Sequence, residues 1–536
     1  MTALAILLLV AAVALGIARR LRLPTIPVLL GSGFALSFFG HEEHRSELAA
    51  TLELGLMFLV FAAGVELTPH RIARQLRPSI WVAVALFVLA GGSGFVLSRL
   101  LGFSSLEALY LALAMSTSST LVAVRELRKR QQVFEPFARL VVGVQLLQDL
   151  LMTVAVVVLM RVGLGGGAVA ISLGLTIALG ALAVVFQRWV LPWLIIKQRL
   201  DEEALLLTIL ATLFIFVGLA SLMKLPVVAG AFLGGFALSS FPLSGLVRGQ
   251  LTTLSDFFTA LFFTALGASV VLPEGPLLFK TIALAVFFLI VTPIIVTIVA
   301  EACGFTSRTA IDTGLLLAQT GEFSLIIAVS GLYVGQISED LFSVIALLAV
   351  ITMTLTPLVA SNRLARWLLH HHPGRSRASA EVSAQGHILM LGFGAAGMWI
   401  LKPLRAAGHD VLVVDDDPIV IGQLRKSGIA CHRGDASDER VLAQVGAREA
   451  RLIIASMRRV ADAETVLRHV QGVPVITRVF EERDARRITD LGGTAILNPE
   501  GAITAFMEWF EKSKIARASG QVLASDDVNG SSTSQT

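Results

Sequence analysis

The chain has 536 residues, of which 55% are hydrophobic and only 15% are charged, and its formal net charge is +4. Soluble globular proteins carry about 25% charged residues, so this composition excludes a protein that is water-soluble along its whole length. The apolar residues are concentrated before residue 360 in runs of roughly 18–24 residues, a length that matches a bilayer core of about 30 Å.

The apolar runs predict about thirteen transmembrane helices, each separated from the next by a short polar break. The weakest boundary lies between the eighth and ninth runs, where only Met223 and Lys224 intervene. The approximate spans are 2–18, 24–40, 48–66, 79–100, 106–124, 137–160, 165–187, 203–222, 224–240, 252–271, 277–300, 309–333 and 338–360.

Basic residues are concentrated at every second break between these runs. The positive-inside rule places such breaks in the cytoplasm. We therefore expect the N-terminus outside, an odd number of spans, and a cytoplasmic location for the part of the chain after the last span. The basic breaks contain Arg19, Arg20 and Arg22; Arg71, Arg74 and Arg77; Arg125, Arg128, Lys129 and Arg130; Arg188, Lys197 and Arg199; Arg248; Arg308; and Arg363, Arg366, Arg375 and Arg377.

The fifth and twelfth runs are interrupted by polar stretches, at 116–120 and 319–324. Paired broken helices near the midplane are typical of transporters built from inverted repeats, and their free carbonyls and half-helix ends can line a cation site. The alternative is that the Ser and Thr side chains bond back to their own helices. Glu322 is either an ion ligand or a salt-bridge partner. The candidate ion ligands in these stretches are Ser118, Ser119, Thr120, Gln319 and Glu322.

Asp149 follows Gln148 in the middle of the sixth run. A charged side chain inside a span costs at least about 2.5 kcal/mol on insertion scales, so it is a functional candidate by default. A carboxylate at this depth can bind a cation when it is ionised and is neutral when it has bound a proton. One group that binds the two ligands alternately is the least that an exchanger requires. The alternative is a structural aspartate that bonds to a neighbouring helix.

Beyond residue 360 the character of the chain changes. The stretch 361–385 shows no apolar period and predicts a flexible connector. From 386 to 515, short apolar strands alternate with helical stretches of about ten residues, which predicts a parallel, doubly wound, Rossmann-like domain. The tail 516–536 is rich in Ser, Asp, Asn, Gly and Thr and is expected to be disordered.

The first strand of this domain leads into a G-x-G-x-x-G motif formed by Gly392, Gly394 and Gly397. In that context the glycines let the backbone approach a phosphate at the N-terminus of a helix. Asp415 and Asp416 follow about 20 residues later, where a carboxylate meets a ribose hydroxyl. Asp435 ends the third strand on the same edge of the sheet. These residues are the candidate nucleotide ligands.

The membrane motifs resemble those of Kef-type potassium/proton antiporters, which belong to the monovalent cation:proton antiporter family. The segment 61–67 resembles F-x-x-G-x-E-L, and 118–120 resembles the family's S-S-T. Gln148-Asp149 is similar to its ion-binding pair, Phe262, Phe263 and Gly267 to F-F-x-x-x-G, and 319–323 to Q-x-G-E-F. The C-terminal domain resembles the regulator-of-potassium-conductance type.

The resemblance implies a bacterial inner-membrane homodimer with a dimerisation domain and a moving, ion-carrying core. Alternating access would expose Asp149 to each side in turn, with potassium leaving and protons entering. An adenine nucleotide, NAD(H) or AMP, would bind the cytoplasmic domain as a regulatory ligand, and the family allows for a soluble regulatory subunit. Glutathione gating is not expected, because the stretch 242–250 lacks the acidic loop of the glutathione-gated members.

Three alternatives remain at this point. A sodium/proton antiporter has the same fold, although Gln148 stands where strongly sodium-selective members tend to carry an acid. A nucleotide-gated potassium channel needs a T-V-G-Y-G type filter, and the sequence has none. A membrane dehydrogenase would need a second catalytic domain, and we expect His387, His409 and His432 to be surface residues. The sequence therefore predicts a transporter rather than an enzyme, with no indication of nucleic-acid binding.

Overall fold

The computed structural model describes residues 2–21, 23, 25–37, 45–67, 76–129, 136–163, 165–194, 201–239, 244–371, 386–393, 397–457, 460–479 and 481–497. The predictions for Gly394, for the connector beyond residue 371, for residues 498–515 of the nucleotide-binding domain and for the tail 516–536 lie outside these residues. The chain divides into two compact units, Met1–Arg375 and Ser376–Thr536.

The first unit is entirely helical within the described residues. Eight of its helices are long and apolar enough to cross a membrane, judged by length and composition. The helices are α1 (Thr2–Leu21), α2 (Thr25–Ser37), α3 (Arg45–Glu66), α4 (Leu76–Ala85, continued through a π-type turn at Leu86–Ala90 into Gly91–Leu100), α5 (Ser105–Ala114), α6 (Thr120–Lys129), α7 (Pro136–Val162), α8 (Gly166–Val185, continued by a π-type turn at Phe186–Val190), α9 (Glu202–Leu222), α10 (Val227–Ala237), α11 (Ser244–Ala268), α12 (Pro276–Ala302), α13 (Ser307–Leu317), α14 (Glu322–Tyr333), α15 (Glu339–Val359) and α16 (Asn362–His371).

Each predicted span coincides with helix in the structure, and the two expected interruptions are present. The fifth span is the pair α5 and α6, broken at 115–119, and the twelfth is the pair α13 and α14, broken at 318–321. The weak boundary at Met223 and Lys224 is a tight turn in which Lys224 adopts a left-handed backbone conformation with φ of 55°. An L-residue pays a steric cost there, so this turn separates two helices that the hydropathy pattern barely divides.

The helices of the first unit form two groups. The helices α1, α2, α3, α9, α10 and α11 pack mainly on one another, while α4, α5, α6, α7, α12, α13, α14 and α15 form a second set around the broken helices. Close backbone approach holds the first group together: a side chain at Gly64 would meet the carbonyl oxygen of Phe232, and one at Gly267 would meet that of Leu30. We call the first set the scaffold group and the second the core group.

The prediction of a flexible connector at 361–385 is wrong for its first part, because α16 occupies Asn362–His371. Its apolar residues do follow a helical period: Leu364, Leu368 and Leu369 pack against a buried cluster that includes Ala365 and Ile311. The run is too short and too basic to span a membrane, and this obscured its amphipathic pattern in the sequence.

The second unit is the expected doubly wound domain. Six parallel strands lie in the order β3-β2-β1-β4-β5-β6. Its elements are β1 (Ile388–Leu391), α17 (Gly397–Ala406), β2 (Val411–Asp415), α18 (Pro418–Lys426), β3 (Cys431–Arg433), α19 (Glu439–Gln444), β4 (Leu452–Ala455), α20 (Val460–His469), β5 (Val475–Val479), α21 (Glu482–Asp490) and β6 (Thr494–Leu497). The order reverses between β1 and β4, which places the ligand crevice of this fold outside the carboxyl end of β1.

Two of the three histidines that we expected at the surface are buried. His387 is 3% exposed and His432 is 7% exposed, whereas His409 is exposed. His432 lies inside β3, where it is in register with Val414 of β2, and His387 directly precedes β1. Helices cover both faces of a parallel sheet, so residues at these positions are enclosed by the domain.

Candidate functional site at the crossing of the broken helices

The two broken helices approach each other at their interruptions. A side chain at Gly321 would lie 2.9 Å from the carbonyl oxygen of Ser118, so the two extended segments touch backbone to backbone. Further out, the ring of Tyr110 lies against Gly331. Residue numbers thus fall along the fifth span, from Ser118 to Tyr110, as they rise along the twelfth, from Gly321 to Gly331. The two spans run antiparallel, as expected for an inverted repeat.

Ser119 and Glu322 join the two interruptions directly. The hydroxyl of Ser119 donates to Oε1 of Glu322 over 2.8 Å, and the Ser119 oxygen accepts weakly from the backbone N–H of Val122 at 3.3 Å. Ser119 thus caps the first turn of α6, while Glu322 is the first residue of α14. A carboxylate is favourable at helix N-termini, because the unpaired N–H groups there are positive.

Two glutamines of α7 hold the interruption of the fifth span. Gln148 Nε2 donates to the carbonyl of Ser116 over 2.8 Å, and its Oε1 accepts from the hydroxyl of Ser118 over 2.6 Å. Gln145 Nε2 donates to the carbonyl of Ser119, also over 2.8 Å. Backbone groups that a broken helix leaves unpaired are costly in an apolar setting, and these amides satisfy them.

Gln319 and two threonines of α15 hold the interruption of the twelfth span. Thr356 donates to the carbonyl of Ala318 over 2.8 Å, and the Thr352 hydroxyl accepts from the N–H of Thr320 at 3.2 Å. Gln319 Nε2 donates to the carbonyls of Ser119 and Leu316, each at 3.3 Å. The crossing is therefore fixed from α7 on one side and from α15 on the other.

Asp149 lies on α7 one turn after Gln145 and is only 5% exposed. Its backbone carbonyl accepts from Thr153, and within the described residues its carboxylate receives no hydrogen bond. The carboxylates of Glu322 and Glu66 are close enough to interact with it electrostatically. A buried carboxylate without a donor, facing two other acids, is poorly stabilised by its surroundings alone. This environment favours a bound cation or a bound proton.

Several buried oxygens around the crossing also lack a partner within the described part of the chain. Two of them are amide oxygens and two are hydroxyls, and all are shielded from solvent. They are Gln145 Oε1, Gln319 Oε1, Thr117 Oγ1 and Thr120 Oγ1. An unmade hydrogen bond at a buried polar atom costs about 1–3 kcal/mol, so such atoms call for a ligand, an ion or water.

The structure brings together all seven ion-site residues predicted from the sequence. Asp149, Gln148, Ser118, Ser119, Thr120, Gln319 and Glu322 all lie at or beside the crossing. Sequence reasoning missed Gln145, Thr352 and Thr356. The signal for each was available as spacing, because Gln145 precedes Asp149 by four residues and the two threonines are four residues apart on one helix face.

In the second unit, Gly392 follows β1 with φ of 78°, a conformation that favours glycine. Gly397, the third glycine of the motif, opens α17, and a side chain there would overlap the ring of Phe393 at 2.5 Å. Gly397 therefore permits close packing between helix and loop. Gly392 shapes the turn that carries the chain from the strand into the helix.

The carboxylate of Asp415, the predicted ribose ligand, accepts hydrogen bonds from backbone N–H groups in this structure. Its Oδ2 accepts from the N–H of Phe393 over 2.7 Å, and its Oδ1 accepts from the N–H of Asp417 over 2.8 Å. Asp416 interacts electrostatically with Arg433. The carboxylate of Asp435 accepts from both the N–H and the hydroxyl of Ser437. These acids thus converge on the loops at the carboxyl end of β1, β2 and β3.

Comparison with known families identifies both units. The model of the family described as "Sodium/hydrogen exchanger, transmembrane" matches residues 5–361, which is more than half of the chain. The TrkA-N domain matches residues 388–499.

Three curated relatives illustrate the range of similarity. The Escherichia coli (strain K12) protein YbaL, named as a proposed cation/proton antiporter, is 24% identical over 89% of this chain and 90% of its own length. The chloroplastic K(+) efflux antiporter 2 of Arabidopsis thaliana is 28% identical over 75% of this chain, but this covers only 36% of that protein. The glutathione-regulated potassium-efflux protein KefC of Salmonella schwarzengrund (strain CVM19633) is 26% identical over 84% of this chain and 74% of its own length.

Among solved structures, the sodium proton antiporter MjNhaP1 of Methanocaldococcus jannaschii has a TM-score of 0.55 at 15% identity. The match covers 69% of this chain and 98% of the MjNhaP1 chain. This likeness supports the fold of the membrane unit. The chain therefore belongs to the sodium/hydrogen exchanger family of transmembrane proteins and carries a TrkA-N domain after its membrane part, the combination expected from its resemblance to Kef-type antiporters.

Proposed function

We propose that this protein is a potassium/proton antiporter in which Asp149 carries the cation and the proton alternately. The observation that carries this proposal is the buried carboxylate of Asp149 at the crossing of two broken helices, which receives no hydrogen bond from any described residue. A cation bound there would relieve the repulsion from Glu322 and Glu66, and a proton would do the same. Because either ligand satisfies the site, binding of one displaces the other.

The unpartnered oxygens define the rest of the proposed cation site. Gln145 Oε1, Gln319 Oε1 and the hydroxyls of Thr117 and Thr120 are neutral oxygen ligands that replace part of a hydration shell. Gln148 differs from them because both ends of its amide are already used by Ser116 and Ser118. We assign Gln148 to positioning. A single ionisable carrier then gives exchange of one cation for one proton.

Potassium is favoured over sodium by the names of the relatives. Two of the curated relatives reported above are named as potassium efflux proteins. The sodium proton antiporter MjNhaP1 shares the fold, and sodium is the alternative ion. Gln148 is neutral, so Asp149 has no second acid beside it on this helix. Two adjacent acids would favour the smaller sodium ion more strongly than one acid does.

The test is proton flux in liposomes that contain the purified protein and an imposed pH gradient. Addition of potassium is expected to collapse the gradient, and Asp149→Asn is expected to abolish this response. The matched control is Asp201→Asn, because Asp201 is exposed and caps α9 through the N–H of Ala204, a role that asparagine also fills. Collapse by sodium alone would change the ion, whereas no cation response from the unaltered protein would refute exchange.

Alternating access is supported by the division into scaffold and core groups. The crossing and its supports lie in the core group, while the scaffold is consolidated by glycine contacts between its own helices. Movement of the core against a fixed scaffold would carry Asp149 from one side of the membrane to the other. Glu66, which acts electrostatically on Asp149, lies on scaffold helix α3 and would contribute in only part of such a cycle.

We also propose that the second unit binds an adenine nucleotide and thereby gates transport. Support comes from the left-handed Gly392 and from the acids at the carboxyl end of the first three strands. Asp415 holds the backbone N–H of Phe393 in the loop that would receive the phosphates, and Asp416 and Asp435 would lie beside the ribose. A ligand at 100 times its dissociation constant stabilises the folded state by about 2.7 kcal/mol.

Nucleotide binding is tested by thermal unfolding of the full chain with NADH, NAD or AMP. The unaltered protein is expected to be stabilised by one of them, and Asp415→Asn is expected to lose that response because an amide N–H would oppose the Phe393 or Asp417 N–H. Asp438→Asn is the control, since Asp438 only caps α19 through the N–H of Arg440. Stabilisation that survives Asp415→Asn would place the nucleotide elsewhere.

A further inference from the structure

Helix α16 begins immediately after the last span, which ends at Val359. Ser361 starts the new helix: its carbonyl accepts from the N–H of Ala365 over 3.0 Å, and its hydroxyl accepts from the N–H of Leu364 at 3.4 Å. With so short a turn, α16 must lie where the chain leaves the bilayer. It is therefore positioned at the membrane surface.

One face of α16 is already occupied. Leu364, Leu368 and Leu369 pack on the cluster that contains Ala365 and Ile311, so the helix rests on α13. Helix α13 is the first half of the broken twelfth span, and its end leads directly to Gln319. Helix α16 is thus linked to the crossing through α13.

The opposite face carries a cation and an aromatic ring. Arg363 is exposed, and Trp367, four residues later, is 58% exposed. His371 follows after four more residues, with its ring 4.8 Å from that of Trp367 and its Nδ1 2.9 Å from the Trp367 carbonyl oxygen. An exposed tryptophan beside an arginine is typical of the interface between lipid and water.

The charges along the sequence on either side of α16 have a single sign. The sequence from Leu341 to Ala380 contains no aspartate or glutamate, and the neighbouring acids in sequence are Asp340 and Glu381. The same stretch contains four arginines and three consecutive histidines, namely Arg363, Arg366, Arg375, Arg377, His370, His371 and His372. Basic clusters directly beside a transmembrane helix bind anionic headgroups, at about 1 kcal/mol per basic residue.

We propose that the exposed face of α16 binds the headgroups of anionic phospholipids at the membrane surface where the last span emerges. The arginine supplies the attraction, and Trp367 inserts among the headgroups at the level set by the end of α15. A free anion would satisfy the charge but would leave the tryptophan in water. Because α16 rests on α13, the bound lipid holds one end of the broken span in place.

The experiment measures thermal stabilisation of the full-length protein by phosphatidylglycerol and by phosphatidylcholine in detergent, without reference to transport. Phosphatidylglycerol is expected to stabilise the protein and phosphatidylcholine is not. Arg363→Gln is expected to weaken the apparent affinity about fivefold, the equivalent of about 1 kcal/mol. The double variant with Trp367→Ala is expected to weaken it further, while Arg363→Lys keeps the response.

The matched control is the pair Arg188→Gln and Trp189→Ala, which removes an adjacent arginine and a 65% exposed tryptophan at the end of α8. This variant is expected to keep the phosphatidylglycerol response. An equal loss in the control would mean that any basic helix end suffices and would overturn the proposal. Stabilisation by inorganic phosphate as strong as that by phosphatidylglycerol would also overturn it, in favour of a free anion.

Discussion

Asp149 and Glu322 are two buried carboxylates whose surroundings separate their roles. Glu322 accepts a hydrogen bond from Ser119 and lies at the start of α14, close to the start of α6. Two positive helix ends are therefore near its charge. Asp149 lies in the middle of α7 without a donor among the described residues. This contrast predicts that Glu322 is needed for the architecture of the crossing and Asp149 for exchange.

Glu322→Gln is expected to lower the stability of the membrane unit by about 1–2 kcal/mol, because the charge near the helix ends is lost while the shape is kept. Asp149→Asn is expected to leave stability unchanged or higher, since it removes a poorly stabilised charge. The measurement is thermal unfolding of both variants in the same detergent. Equal destabilisation by the two substitutions would contradict this division of roles.

His432 provides a pH dependence in the second unit. Burial, followed by the neighbouring Arg425, lowers the pKa of His432 below its usual value. As pH falls through about 6.5, the unfolded chain takes up a proton that the folded domain resists, so stability falls with acidification. Thermal unfolding is therefore expected at lower temperature at acidic pH than at neutral pH. His432→Leu is expected to flatten this profile, and an unchanged profile would assign it to other groups.

At the scale of elements, the crossing depends on the absence of a side chain at Gly321. A methyl group there would lie 2.9 Å from the Ser118 carbonyl oxygen, which is backbone and cannot move aside. Gly321→Ala is expected to destabilise the protein by about 1–3 kcal/mol and to reduce exchange. The control is Gly174→Ala in α8, where nothing lies within 4 Å, and where alanine is expected to stabilise the helix by up to about 1 kcal/mol. Similar effects of both substitutions would contradict the close approach.

The elements were predictable to very different degrees. Each apolar run coincides with helix among the described residues, and the polar stretches at 116–120 and 319–324 marked the two interruptions. Polar side chains are needed there because the backbone groups of an interrupted helix must be hydrogen-bonded in an apolar setting. The four-residue spacing of Gln145, Thr352 and Thr356 could have marked them as candidates, but their partners could not be predicted, since only the packing brings the backbone of Ser119, Thr320 and Ala318 close to them. Asp415 was predicted as a nucleotide ligand at the end of the second strand, and that role stays a prediction. Its two backbone partners could not be read from the sequence.

At the scale of the whole membrane unit, few described bonds join the scaffold group to the core group. One runs from the N–H of Val271, just beyond scaffold helix α11, to the hydroxyl of Ser343 on core helix α15, over 3.1 Å. On the opposite side of the unit, Arg125 of α6 bonds to Thr25 of α2 and interacts with Asp256 of α11. Such contacts must change if the core moves past the scaffold.

A disulfide between Val271→Cys and Ser343→Cys, placed in a background without Cys303 and Cys431, is expected to stop cation-dependent proton flux. Reduction is expected to restore the flux, because the crosslink ties the two groups at one position. Each single cysteine variant under the same oxidant serves as control. Undiminished flux in the fully crosslinked protein would show that these two segments do not separate during the cycle.

The hydrogen bonds around the interruptions have one more consequence. Gln145, Gln148, Gln319 and Thr356 restrain the carbonyls of Ser119, Ser116, Leu316 and Ala318 before any ion arrives. The same bonds hold the amides of Gln145 and Gln319 through their Nε2 atoms, so the Oε1 atoms that we propose as cation ligands are also held in place. Ligands held in this way would resist contraction around an ion as small as lithium. Discrimination by size would then reside in the bracing amides and hydroxyls rather than in the carboxylate, and loosening a brace would broaden the range of ions accepted.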